Sequence, residues 1–222
     1  MERPLLGFFS GFPSRRFPRD VGERLGRELS RDGGLVFVSA WPEDYEKNDS
    51  DSAGMYQMFL EYGLPFLEHT IIDGRTGASR ARELMREASC VFLMGGHPGK
   101  QRKLLRDLGL DAAVLDSSAA VLGVSAGAIN MARRSLDTKE SPVPYDGLGL
   151  ADITVKPHFC KEDRQVLEDL LRISMELPIC AMEDDSAIFV AGGAVSCTGT
   201  VHWVEKGGIG PFLPERLFSA RK

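Results

Sequence analysis

One serine stands in a sequence context that could make its hydroxyl a nucleophile. Ser125 is the centre of the G-x-S-x-G segment GVSAG at 123–127. An apolar run of strand type, 119–122, leads directly into the segment, and a stretch compatible with a helix, 128–134, follows it. Strand, sharp turn and helix are the context of a nucleophile elbow, which exposes a serine at the carboxyl end of a sheet. A glycine-rich turn with a helix-capping serine would give the same string, so the interpretation depends on partners elsewhere.

A serine hydroxyl attacks a carbonyl only when a base takes its proton and a third group orients that base. The chain has four histidines, which are His69, His97, His158 and His202. His69 begins a predicted strand and His202 lies within one, so we expect both to be structural. His97 and His158 each follow a strand-like run, which predicts that they lie at the same sheet edge as the serine.

The elements that must position these residues alternate between strand and helix. Apolar runs occur at 5–10, 34–40, 69–73, 90–94 and 119–124, and amphipathic stretches occur between them at 18–31, 52–62, 79–88 and 100–108. The strands are continuously apolar rather than alternating. Such strands are typical of a buried parallel sheet with helices on both faces.

The pattern changes after about residue 150. A helix is predicted at 163–176, and three short runs at 187–190, 194–197 and 201–205 predict an antiparallel meander at the sheet edge. No break in composition suggests a second domain. We therefore predict one α/β domain over 1–222, a three-layer α/β/α arrangement with a mostly parallel sheet and a C-terminal antiparallel edge.

The composition argues against several classes of function. The chain has 222 residues, 43% of them hydrophobic, and a formal net charge of −5, which is typical of a globular protein that does not bind nucleic acid. No run of about 18 apolar residues is present, so no membrane span is expected. The four cysteines form no C-x-x-C pair, and we expect reduced thiols in a cytoplasmic protein.

Neither a metal nor a cofactor is predicted. His158, Cys160 and the acids Glu183, Asp184 and Asp185 are of the types that bind metals, but their spacing matches no known zinc motif. No Walker or G-x-G-x-x-G phosphate loop occurs, so nucleotide cofactors are not implied.

Four segments, taken together and in order, are similar to the motifs of one peptidase family. They are GGHP at 95–98, GVSAGA at 123–128, PHF at 157–159 and, more weakly, MEDDSA at 182–187. In these segments the chain resembles the dipeptidase E and cyanophycinase family of serine peptidases, and the likeness covers most of its length. The resemblance implies the fold of the class I glutamine amidotransferases. It also implies the hydrolysis of a small peptide without a cofactor.

The resemblance implies roles for individual residues. Ser125 would be the nucleophile and His158 its general base. The backbone N–H groups of Gly96 and Ala126 would form the oxyanion hole.

The third triad member of that family is an acidic residue some fifteen positions after the serine. Glu140 stands at that distance, and Asp137 is the reserve candidate. A Ser-His-Glu triad is therefore expected, in which the carboxylate fixes the tautomer of the histidine and stabilises its imidazolium form.

The chain departs from the family beside the histidine. The aspartyl dipeptidase branch holds an acidic side chain with an arginine in a longer loop, whereas the loop 159–164 is short here. Lys161 and Arg164 are candidates for that role, although a lysine cannot form the bidentate contact of an arginine. Specificity for an N-terminal aspartate is therefore open. His97 replaces a small polar residue of the family, and it either touches substrate or is a surface residue.

Three other functions compete with this interpretation. A glutamine amidotransferase needs a cysteine where Ser125 stands. An α/β-hydrolase esterase has the same order of triad residues, but only 33 residues separate Ser125 from His158, too few for the elements that usually intervene. A non-catalytic relative that binds a peptide or an amino-acid metabolite remains the alternative. The expected partner is a small peptide substrate, and the oligomeric state is left open.

Overall fold

Strand and helix alternate through the first part of the chain. The computed structural model describes residues 5–138 and 141–215. The elements up to residue 131 are β1 (Leu6–Phe9), α1 (Arg19–Glu28), β2 (Gly34–Val38), α2 (Tyr45–Leu60), β3 (His69–Ile72), α3 (Ala78–Glu87), β4 (Ala88–Leu93), α4 (Pro98–Asp107), α5 (Asp111–Leu115), β5 (Ala120–Val124) and α6 (Ala126–Met131). The elements that follow are β6 (Arg134–Asp137), β7 (Ser141–Asp146), β8 (Val155–Lys156), α7 (Arg164–Ile173), β9 (Ile179–Met182), β10 (Ala187–Ala191), β11 (Ala194–Thr198), β12 (Val201–Glu205) and β13 (Gly208–Pro211).

Seven strands form the central sheet, in the order β11-β10-β1-β5-β4-β2-β3. Five neighbouring strands of this sheet, β1, β5, β4, β2 and β3, run parallel to one another. On the other side of β1, β10 pairs antiparallel with β1, and β11 pairs antiparallel with β10. This topology confirms the predicted mostly parallel sheet with a C-terminal antiparallel edge. The carboxyl ends of β1, β5 and β4 lie side by side, so the residues that follow these strands can meet.

Both faces of the central sheet are buried. Along β2, Leu35 and Phe37 belong to one apolar core, while Val36 and Val38 belong to the other, because successive side chains of a strand point to opposite faces. Residues of α1 and α2 complete the first core, and residues of α3, α4, α5 and α6 complete the second. Helices therefore cover both sides, which confirms the three-layer arrangement.

The prediction that the run 201–205 joins the edge of the central sheet is wrong. This strand, β12, pairs antiparallel with β9, with Trp203 opposite Cys180. Both belong to a second sheet of order β13-β12-β9-β8. Val204 packs there with Ile179 and with Leu170 of α7 in a small separate core. The partner strand β9 is short and continuously apolar, and it offers β12 a buried face that the edge strand β11 lacks.

Helix α2 begins seven residues before its predicted start. Asp44 caps it, with a side chain that accepts a hydrogen bond from the N–H of Lys47. The inward face of its first turns is polar, because the buried side chain of Asn48 is hydrogen-bonded to Ser39 and Asp73. An apolar periodicity cannot reveal a helix whose buried face is polar. In the ranges that the structure describes, no helix is long and apolar enough to cross a membrane.

Candidate active site

Ser125 lies at the sharp turn between β5 and α6. Its backbone has φ 51° and ψ −109°, a conformation that residues other than glycine rarely adopt. Its N–H donates to the carbonyl of Phe9, at the end of β1, over 2.9 Å. Gly127 permits the turn, because a Cβ at this position would collide with the backbone of Leu93 at the end of β4. The bend holds the serine hydroxyl at the carboxyl edge of the sheet.

His158 follows the short strand β8 and faces this serine. Nε2 of its ring lies 2.8 Å from Oγ of Ser125. The backbone of His158 also has a positive φ, 54°. Its N–H donates to Oγ of the buried Ser10 over 2.7 Å, which anchors the bend that turns the ring toward Ser125. The two residues that the sequence singles out as nucleophile and base are thus in hydrogen-bond contact.

Asp184 lies on the other side of the imidazole ring. Its Oδ1 is 2.7 Å from Nδ1 of His158. An ionised carboxylate can only accept, so Nδ1 carries the proton and Nε2 is left to accept the hydrogen of the Ser125 hydroxyl. The side chains of His158 and Asp184 are 39% and 41% exposed, so this side of the site is open to water.

Ser10 and Gly11, directly after β1, bring the histidine and the aspartate together. Ser10 accepts from the N–H of His158 and donates to the carbonyl of Met182 over 3.0 Å. A Cβ at Gly11 would stand 2.5 Å from Cε1 of His158 and 2.6 Å from Oδ1 of Asp184. Only a glycine leaves room for the pair at this point. The carboxyl end of β1 therefore positions the ring without contacting Ser125 through a side chain.

Two backbone N–H groups lie beside the serine. Ala126 opens α6 and therefore has no intrahelical acceptor for its N–H. Gly95 and Gly96 follow β4, and a Cβ at Gly95 would stand 3.5 Å from Cβ of Ser125. Within the described ranges, neither the N–H of Gly96 nor that of Ala126 donates to a backbone carbonyl. The oxyanion hole expected from these two N–H groups stays a prediction.

Two cavities open at Ser125, and Trp41 lines both. The smaller one, of about 220 Å³, is also lined by His97, Asp137 and Lys156. The larger one, of about 530 Å³, is also lined by residues of α2 and of the loop after β1. The serine thus stands between two recesses that a substrate could occupy.

The predicted site residues that the structure describes fall into three groups. The structure brings Ser125 and His158 together, with Gly96 and Ala126 beside them. His97 lines the smaller cavity, where its ring packs edge to face on Trp41 with the centroids 5.7 Å apart. Lys161 and Arg164 are exposed and line neither cavity.

Glu140, the predicted third member of the triad, lies outside the described residues. The reserve candidate Asp137 lines the smaller cavity. Among the residues that the structure describes, the carboxylate that contacts Nδ1 of His158 belongs to Asp184. The assignment of Glu140 to the triad remains a prediction. Asp184 occupies the position on Nδ1 of His158 that was expected for Glu140.

Sequence reasoning missed Asp184, Ser10 and Gly11 as parts of the site. Asp184 lies in the MEDDSA segment, where the resemblance pointed, but three consecutive acids gave no reason to choose one. Ser10 ends the first apolar run and Gly11 follows it, at the edge where the other candidates were expected. Their position after the first strand was therefore the only feature of the sequence that could have marked them as site residues.

The titratable groups of the described residues differ in exposure. Cys160 is exposed, and its Sγ donates to Glu162 over 3.1 Å, a contact that lowers the pKa of that carboxyl. Burial instead raises the pKa of the thiols of Cys90 and Cys180. Burial, together with the charge of Asp137, raises the pKa of Tyr145 to about 12. Among the described residues, no group of three histidine, cysteine or acidic side chains could hold a metal ion.

Solved peptidases share the fold. A crystal structure of a peptidase from an acI-B1 Actinobacterium superposes with a TM-score of 0.69 at 16% sequence identity, covering 95% of this chain and 98% of that chain. A peptidase E-type protein from Listeria monocytogenes EGD-e superposes with a TM-score of 0.67 at 18% identity, covering 89% of this chain and 98% of that chain. At such identities the likeness concerns the fold alone.

The sequence itself shows the family. No curated protein matches the chain. The model of Peptidase family S51 matches residues 45–198, a range that includes Ser125, His158 and Asp184. This match confirms the resemblance to dipeptidase E. The chain belongs to peptidase family S51, a family of serine-type peptidases.

Proposed function

We propose that the protein hydrolyses small peptides through an acyl-enzyme on Ser125, with His158 as the base and Asp184 as the group that orients it. The observation that carries this proposal is the chain of two short hydrogen bonds, 2.8 Å from Ser125 to His158 and 2.7 Å from His158 to Asp184. Nucleophile, base and orienting group in this geometry define a catalytic triad whatever the fold.

The proposed reaction begins with proton transfer from Oγ of Ser125 to Nε2 of His158 as Oγ attacks the peptide carbonyl carbon. The carbonyl oxygen becomes an oxyanion, which the N–H groups of Gly96 and Ala126 bind. The imidazolium of His158, stabilised by Asp184, then gives its proton to the leaving amine as the C–N bond breaks. A water molecule deprotonated by His158 hydrolyses the acyl-enzyme and restores the serine.

The preference for small substrates is proposed from the space at the site. Ser125 stands between cavities of about 220 and 530 Å³. Each is of a size to take a side chain or an end group of a short peptide.

Intact-mass labelling with a fluorophosphonate tests the proposal, followed by hydrolysis of a dipeptide library. Wild type should gain one adduct, and Ser125→Ala should gain none and lose all turnover. Ser79→Ala is the control, because Ser79 is exposed on α3 and should leave labelling unchanged. If wild type neither forms the adduct nor hydrolyses any dipeptide, the proposal is wrong and a peptide-binding role takes its place.

A further inference from the structure

The larger cavity at Ser125 has an apolar interior. The side chains of Met58, Met94 and Val124 line it and are all buried. The half-buried side chains of Phe12 and Met55 add to its walls. Because methionine is flexible and polarizable, a surface of this kind adapts to apolar groups of different shapes.

The charged residues that line this cavity, Arg15, Lys47 and Asp51, have exposed side chains. Lys47 is paired with Asp51, with Nζ 2.6 Å from Oδ2. Arg15 is exposed, and no carboxylate of the described residues pairs with it. The buried interior therefore offers no charged group to an acidic or basic side chain.

Helix α2 contributes an exposed glycine to the lining of the cavity. Residues 51, 54, 55 and 58 lie on one helical face and line the cavity together. Gly54 stands in the interior of α2, where glycine is a poor helix former. A Cβ at Gly54 would meet no atom within 4 Å. A side chain at this position would therefore enter open space where the helix lines the cavity.

We infer that this cavity is a specificity pocket for a large apolar side chain, such as that of leucine, methionine or phenylalanine, next to the scissile bond. The inference rests on the proposed function. It is supported by the extent of the cavity. The cavity that Met55, Met58 and Met94 line also reaches Ser125 and His158. A peptide whose carbonyl carbon lies at Ser125 can therefore place an adjacent side chain in the pocket.

The first test measures kcat/KM for two dipeptide series, Xaa-Ala and Ala-Xaa, with Xaa as alanine, leucine, methionine, phenylalanine, aspartate or lysine. At one of the two positions the three large apolar residues should exceed alanine, aspartate and lysine by about tenfold or more. A preference for aspartate would overturn the inference, and it would point to Arg15 as the group that binds the substrate carboxylate.

A second test needs no knowledge of the substrate. The labelling rate of Ser125 is compared for fluorophosphonates that carry an ethyl or an octyl chain. The octyl probe should label wild type faster, because its chain fills the apolar pocket. In Gly54→Phe the new ring should occupy the pocket and abolish that advantage.

Ala53→Phe is the matched control, since Ala53 is exposed on the same helix and does not line the cavity. It should keep the wild-type ratio of octyl to ethyl labelling. Equal rates with both probes in wild type, or an unchanged ratio in Gly54→Phe, would overturn the pocket while leaving the nucleophile intact. A complete lack of labelling at Ser125 would instead contradict the proposed function itself.

Discussion

Two histidine–carboxylate pairs stand side by side after β9, and only one of them meets a serine. Asp184 lies 2.7 Å from Nδ1 of His158, and Glu183 lies 2.8 Å from Nε2 of His202. The carboxylates come from consecutive residues, and the two hydrogen bonds are almost equally long. The hydrogen bond alone therefore does not distinguish a catalytic pair from a structural one.

The surroundings of the two rings differ. The second nitrogen of His158 faces Oγ of Ser125, whereas His202 lies within β12 and packs edge to face on Phe159, with the centroids 5.3 Å apart. Phe159 is the residue after His158, so the second pair supports the loop that carries the first. We conclude that a histidine–carboxylate pair gains catalytic value only where a nucleophile meets its other nitrogen.

The largest expected effect separates the two histidines. His158→Ala should lower kcat by about 10⁶-fold, the order found when a triad histidine is removed. His202→Ala should lower it less than about tenfold while reducing the free energy of unfolding by about 1–2 kcal/mol, through the lost hydrogen bond and ring contact. Steady-state kinetics and urea denaturation measure these effects. Similar losses of kcat in both variants would contradict the comparison.

A smaller effect is expected from Gly11→Ala, which adds a methyl group against the ring of His158 and the carboxylate of Asp184. Displacement of the pair by a fraction of an ångström should lower kcat by about 10²-fold. Gly77→Ala is the control, because a Cβ there meets no atom within 4 Å and its φ is −72°. An unchanged kcat in Gly11→Ala would show that the pair tolerates displacement.

The smallest effect concerns the thiols. Cys160 is exposed just after Phe159, whereas burial raises the pKa of Cys90 and Cys180. Iodoacetamide at pH 8 should therefore alkylate Cys160 first and leave both buried thiols unmodified until the protein unfolds, because the thiolate is the reactive form. Peptide mapping follows the order of modification. Early alkylation of Cys180 would show that the second sheet opens in the native protein.

Much of the fold and half of the site could be predicted from the sequence. Continuous apolar runs predict the parallel sheet, and the strand that leads into GVSAG predicts where Ser125 lies. The strand-like runs left His97 and His158 as candidate bases, and the PHF segment at 157–159, similar to that of the peptidase family, selected His158. These signals are local, so a single sequence carries them.

The choice of Asp184 could not be predicted, because it depends on contacts between distant segments. The N–H of Asp185 donates to the carbonyl of Gly11 over 2.8 Å, and Asp185 has a φ of 60°. This bond joins the acidic segment to the residue after β1, and the neighbouring Asp184 contacts His158 there. The sequence shows three equivalent carboxylates there, and only the packing of the second sheet against β1 distinguishes them.

The central claim is tested most directly by exchanging each carboxylate for its amide and measuring kcat for the same dipeptide. Asp184→Asn should lower kcat by about 10⁴-fold, because the amide favours the wrong tautomer of His158. Glu183→Gln should change kcat less than about tenfold, because that carboxylate contacts His202. Equal effects of the two exchanges, or near wild-type activity in Asp184→Asn, would contradict the assignment of the Ser125–His158–Asp184 triad.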